Sequence, residues 1–249
     1  MKNLSKMSLV IGLMVPALTQ AAEVKVAVAA NFQKPLEEIA KAFQAETGNT
    51  LAISAGATGQ LYTQVKNGAP FEVFISADSK TPKKLVDENV GIQGTSFTYA
   101  KGQLVLWSAD DKKVDAKGAV LTKGEFTHLA IANPKTAPYG AAAVEVIDKL
   151  GLTKSLTSKI VEGQSIAQTK QFVDSGSAEI GFVALSQVYK DGKVTKGSAW
   201  MIPATYYKPI LQDVVLLKNG EKDAAAKSLM TFLKGDKAKS IIENFGYQI

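Results

Sequence analysis

Residues 24–54 read VKVAVAANFQKPLEEIAKAFQAETGNTLAIS. Val24 to Ala30 is a short Val-rich apolar run and predicts a strand. Pro35 to Ala45 carries Leu36, Ile39, Ala40 and Phe43 at helical spacing, and Leu51 to Ser54 is a second strand. A strand, a helix and another strand in so short a stretch form a parallel pair with a crossover helix, which predicts an α/β fold.

The same alternation continues outward. Leu61 to Val65 lies in a helix, Val73 to Ser76 in a strand and Pro82 to Asp87 in a helix. Phe97 to Ser108 then breaks the rhythm as one long extended segment around Leu104-Val105-Leu106-Trp107. A second series follows, with strands at Leu129–Ala132, Lys159–Val161, Ile180–Val183 and Trp200–Pro203. Its helices are at Ala141–Leu150 and Ile166–Val173. Another extended segment, Ile210 to Leu217, precedes helices near Ala224–Leu233 and Ala238–Phe245. Two series joined by two extended segments predict two lobes with two crossovers: residues 22–102 plus 206–249 in one, 103–205 in the other. A ligand then belongs in the cleft at the carboxyl ends of the strands.

Residues 1–21 do not fit this pattern. Lys2 and Lys6 start them, Met7 to Val15 is apolar, and Pro16 and Thr19-Gln20-Ala21 follow, as in a signal peptide cleaved near Ala21. The apolar run is too short to span a bilayer. Losing two lysines with this segment takes the formal charge from +6 to +4. An exported chain with no anchor is expected in the periplasm.

Composition narrows the chemistry. The chain has no cysteine, so disulfides, thiolate catalysis and Cys-based metal sites are excluded. All 29 Lys+Arg residues are lysine. Without arginine there is no bidentate fork for a carboxylate or phosphate, and no clustered lysines alternate with aromatics as nucleic-acid binding requires. The one histidine, His128, opens an apolar strand with no nucleophile beside it in sequence. The adjacent pairs Glu37-Glu38 and Asp110-Asp111 point apart, so an acid–base pair is not visible.

The strand-to-helix turns are richer. Ala29-Ala30-Asn31, Ser54 to Gln60, Asn133 to Gly140 and Gly163 to Ile166 each bring backbone N–H groups at a helix start. They add the neutral donors Asn31, Thr58 and Tyr139, with tiny residues at Ala29, Ala30, Ala57 and Gly59. Asn and Thr ahead of helices also serve as plain N-caps, and either role stands open at this point. Neutral donors suit a fully ionised oxyanion, because they offer few acceptors for a protonated one.

The segment Asn67 to Asp78, NGAPFEVFISAD, resembles the signature of the molybdate-binding proteins of bacterial molybdate ABC transporters. Ile180 to Val183 with Leu185 to Lys190, and the ending from Leu233 to Tyr247, are also similar. The resemblance implies a two-lobed periplasmic binding fold of type II. Its ligand would be molybdate or tungstate, contacted by Asn31, Thr58, Tyr139 and the backbone of Ile166. These contacts are to the oxyanion; no residue is expected to ligate a cation directly. A tyrosine that some members carry falls on Ala184, and Tyr139 is expected to replace it. The implied protein is a monomer without cofactor or nucleic acid, delivering its anion to a membrane ABC permease, and not an enzyme. The alternatives are a binder of another oxyanion such as sulfate, and an enzyme.

Overall fold

The computed structural model describes residues 21–249. The expected signal segment lies outside these residues, save Ala21. The chain opens with β1 (Glu23–Ala29), whose Val24, Val26 and Val28 bury one face while Ala27 buries the other. Helix α1 (Gln33–Thr47) buries Leu36, Ile39 and Phe43, and Gly48 ends it in the left-handed region at φ 77°. Then come β2 (Thr50–Gly56), α2 (Thr58–Lys66), β3 (Val73–Ile75), α3 (Lys80–Asp87) and β4 (Phe97–Gly102).

Strand β5 (Leu104–Ser108) starts the second unit, followed by α4 (Ala119–Lys123), β6 (Leu129–Ala132), α5 (Pro138–Lys149) and α6 (Thr153–Leu156). Next are β7 (Ile160–Gly163), α7 (Ile166–Asp174) and β8 (Ile180–Ala184). A small hairpin of β9 (Tyr189–Lys190) and β10 (Lys193–Val194) leads to β11 (Ser198–Met201). The chain closes with β12 (Ile210–Leu216), α8 (Ala224–Phe232) and α9 (Asp236–Asn244).

Two five-stranded sheets result, ordered β2-β1-β3-β12-β4 and β11-β5-β8-β6-β7. Alternation alone predicted parallel strands, yet both sheets are mixed. The helix-linked strands are parallel, β1 with β2 and β3, and β6 with β7 and β8. The other pairs run antiparallel: β12 against β3 and β4, and β5 against β8 and β11. The antiparallel pairs join strands far apart in the chain, so their direction follows from how the returning chain enters each sheet.

The first extended segment, predicted as one unit, is broken at Gln103, so β4 lies in one sheet and β5 in the other. The second, β12, lies wholly in the first sheet, and the chain crosses ahead of it between Met201 and Ile210. Each sheet is covered on both faces, with separate cores on the two sides of β1 (Val24 against Ala27) and of β5 (Leu106 against Trp107). The carboxyl ends of β1, β2, β6 and β7 are thereby turned toward the gap between the sheets.

Candidate functional site

All four residues singled out in the sequence line one cavity of about 10 Å³ between the lobes. Asn31 follows β1, Thr58 opens α2, Tyr139 stands in the first turn of α5 and Ile166 opens α7. Ala29, Ala30, Ala57, Ala77 and Ala137 complete much of the wall, so nothing bulky separates a ligand from the backbone. No carboxylate, lysine or histidine lines it. A larger cleft of about 350 Å³ adjoins it through Thr58, Ala77, Ala137 and Pro138, and holds Lys80, Lys135, Lys208, Asp78 and Glu145.

The N-cap role applies to none of the three polar residues. Ala57 caps α2 and Ala137 caps α5, both without a side-chain bond, and Phe32 precedes α1. Among the four turns only Ser165 caps its helix, accepting from the Gln168 N–H. Thr58 and Ile166 are the first residues of their helices, so their N–H groups have no intrahelical acceptor.

Thr58 is 2% exposed, and its Oγ1 accepts the Ala77 N–H at 3.2 Å. A hydroxyl so engaged keeps its own proton to give. The 67–78 segment explains this contact. Gly68 turns the chain at φ 85°, β3 carries it forward, and Asp78 accepts the Thr81 N–H at 2.7 Å to start α3. Ala77 is thus held against Thr58.

Tyr139 is 1% exposed, and its Oη accepts from Gln212 Nε2 at 2.9 Å. Burial, reinforced by the neighbouring Tyr247 hydroxyl, pushes its pKa well above the usual tyrosine value, so it stays a protonated donor. Gly102 leaves room for it, since a Cβ there would lie 2.0 Å from Tyr139 Oη.

Asn31 differs from expectation in detail. It is on the cavity wall, yet Nδ2 donates to Gln212 Oε1 and to Tyr247 Oη, both at 2.8 Å. Both amide hydrogens are committed to protein, which leaves the backbone at this turn. Ala184 is fully buried in β8 and does not line the cavity.

Sequence reasoning missed the polar layer behind the cavity: Tyr99, Ser186, Gln212 and Tyr247. Gln212 carried a signal, being the polar residue at an inward position between Ile210 and Val214 of an apolar strand. This layer and the cleft edge join the lobes. Ser186 Oγ donates to the Asn31 carbonyl at 2.8 Å, the Gly59 N–H to the Thr136 carbonyl at 2.9 Å, and Lys190 pairs with Glu38.

Two mixed α/β sheets with a small cavity of neutral residues between them, and two crossings of the chain, define a solute-binding protein. The chain belongs to the bacterial extracellular solute-binding protein family, which matches residues 24–248. It is 55% identical to the molybdate-binding protein ModA of Azotobacter vinelandii over 98% of both chains, and 54% identical to that of Rhodobacter capsulatus over 97% of this chain and 93% of the other. The solved periplasmic molybdate-binding protein of Azotobacter vinelandii superposes with a TM-score of 0.88 at 44% identity, covering 91% of this chain and 99% of that one. The resemblance drawn from residues 67–78 agrees with these relatives.

Proposed function

We propose that this chain captures molybdate or tungstate in the periplasm, one ion per molecule, and delivers it to a membrane ABC permease. One observation carries the reading: four turns, two from each sheet, meet at one small cavity that offers neutral donors and no ionised side chain. A dianion there is met by the Thr58 and Tyr139 hydroxyls and by N–H groups at the starts of α2 and α7. Asn31 contributes through its turn, while its side chain braces the wall. Such donors suit an anion that carries no proton, whereas hydrogen phosphate would also need an acceptor, and the wall holds no carboxylate or histidine to serve as one. The names of the 55% and 54% identical relatives support molybdate as the ligand and transport, not catalysis, as the role. The lobes, 22–102 plus 206–249 and 103–205, close on the ion as rigid bodies, and the protein acts as a monomer.

Calorimetric titration of the mature protein with molybdate, tungstate, sulfate, phosphate and chromate tests this. One-to-one binding of molybdate or tungstate, far tighter than of sulfate or phosphate, is expected. Sulfate binding as tightly as molybdate removes the specificity, and no oxyanion binding at all removes the function.

A further inference from the structure

Strand β12 carries a fully buried amide, Gln212, whose place behind the cavity the binding reading leaves without a role. A bulge puts it there. Gln212 pairs with Ala100 but Asp213 with Thr98, so Tyr99 is the extra residue of β4. Tyr99 and Gln212 then meet, with Tyr99 Oη 2.9 Å from Gln212 Oε1.

Both ends of the Gln212 amide are used. Oε1 accepts from Asn31 Nδ2 at 2.8 Å and shares the Tyr99 hydroxyl hydrogen with the Ser76 carbonyl, and Nε2 donates to Tyr139 Oη at 2.9 Å. Turning this amide alone would set Nε2 against Asn31 Nδ2, donor against donor. Asn31 is held in turn by Tyr247, whose Oη accepts from Nδ2 and lies 3.0 Å from both the Asn31 carbonyl and Ser186 Oγ, which share its one hydrogen. A phenol keeps its proton near the ring plane, on one of two sides. A donor on one side therefore turns the Tyr139 proton to the other, where the bound anion competes for it with the neighbouring Tyr247 hydroxyl.

We propose that Gln212 is a positioning residue that sets the selectivity of the site, by holding Tyr139 as a donor to the bound anion and denying it as an acceptor. The inference rests on the oxyanion reading of the cavity. A fully ionised anion needs only donors, while a protonated one must give its proton to something. With Nε2 on Tyr139 Oη, the hydroxyl has one hydrogen to give and the protonated anion finds no acceptor in Tyr139. The titratable groups around position 212 are Tyr99, Tyr139 and Tyr247, and the carboxylates of Asp78 and Asp213 also act on Tyr99.

Gln212→Glu, which keeps the shape, is the test, titrated with molybdate and with phosphate at about pH 8 and about pH 6. As a carboxylate it draws the Tyr139 proton to itself and sets a charge beside the anion. At about pH 8 molybdate binding is then expected to fall by about a hundredfold or more. A buried carboxyl takes up its proton well above the ordinary range and can then donate to Tyr139 Oη. Affinity should therefore recover by about tenfold or more toward pH 6, while the wild type stays level. Failure of the wild type to bind molybdate overturns this inference together with the reading beneath it. A wild type that binds, beside a Gln212→Glu that binds equally well or equally badly at both pH values, overturns the inference alone. So does unchanged affinity in Tyr139→Phe. If Gln212→Glu does not fold, Gln212→Met replaces it. Its molybdate-over-phosphate preference should fall by about tenfold, and an unchanged preference refutes the role.

Discussion

Replacing Thr58 by valine keeps the side-chain shape and removes one hydroxyl that does two things. Its Oγ1 accepts the N–H of Ala77, itself 2% exposed, so the substitution strands a buried donor. That costs about 1–3 kcal/mol of stability in the unliganded protein, seen as a fall in Tm of about 2–4 °C for each kcal/mol in a chain of this size. On the proposed reading the hydroxyl proton is given to the anion, and a hydrogen bond to a charged group is worth about 1.5–3 kcal/mol. Affinity for molybdate should therefore drop roughly ten- to a hundredfold beyond the stability effect. Thr58→Ser retains both bonds and loses one methyl, about 0.8 kcal/mol. Thermal melts without ligand and calorimetry with it separate the two roles. If Thr58→Val melts lower yet binds molybdate as the wild type does, the proton does not reach the ligand and the neutral-donor site is wrong. Lys135→Ala is the contrast. Lys135 is exposed in the wider cleft, and its removal should change binding by no more than about 0.5 kcal/mol. A counter-charge role for that lysine requires the reverse.

Three further outcomes follow from other contacts. In Gly59→Ala the new Cβ would lie 3.1 Å from Thr136 Cα across the cleft, so the two turns must move apart slightly and closure is hindered. Calorimetry should show affinity weaker by about 1 kcal/mol or more, with the unliganded melt little changed. Gly102→Ala drives a Cβ to 2.3 Å from Gln212 Nε2 as well as into Tyr139 Oη, and melts should show a loss of about 1–3 kcal/mol. Glu179 is partly buried, which alone would raise its pKa, but the backbone N–H groups of Thr127 and His128 bind its carboxylate and hold it at about 2. A depressed carboxylate stabilises the fold above the unfolded pKa of about 4.3 and loses that contribution as pH falls toward about 2. Partial exposure screens it, so Glu179→Gln should cost about 1 kcal/mol near neutral pH, with the gap to wild type closing below about pH 4 in a pH series of melts.

The α/β class and most elements were legible in the sequence, because period-2 and helical spacing are local properties of the chain. The two-series pattern and the two crossovers could be read for the same reason. That Thr58 and Tyr139 stand at the cavity was legible too, since short strand-to-helix turns place them where backbone N–H groups are unpaired. Strand direction was not, because β12 and β5 owe their antiparallel pairing to partners far along the chain. The Asn31 amide illustrates the same limit. Its residue type suggested a ligand donor, but Gln212 and Tyr247, separated from it by 181 and 216 positions, take both its hydrogens. Residue types and their local spacing settled which side chains stand at the cavity. Only the tertiary packing decided which of their protons remain free, because a hydroxyl or amide gives its hydrogen to whichever acceptor the folded chain brings within reach.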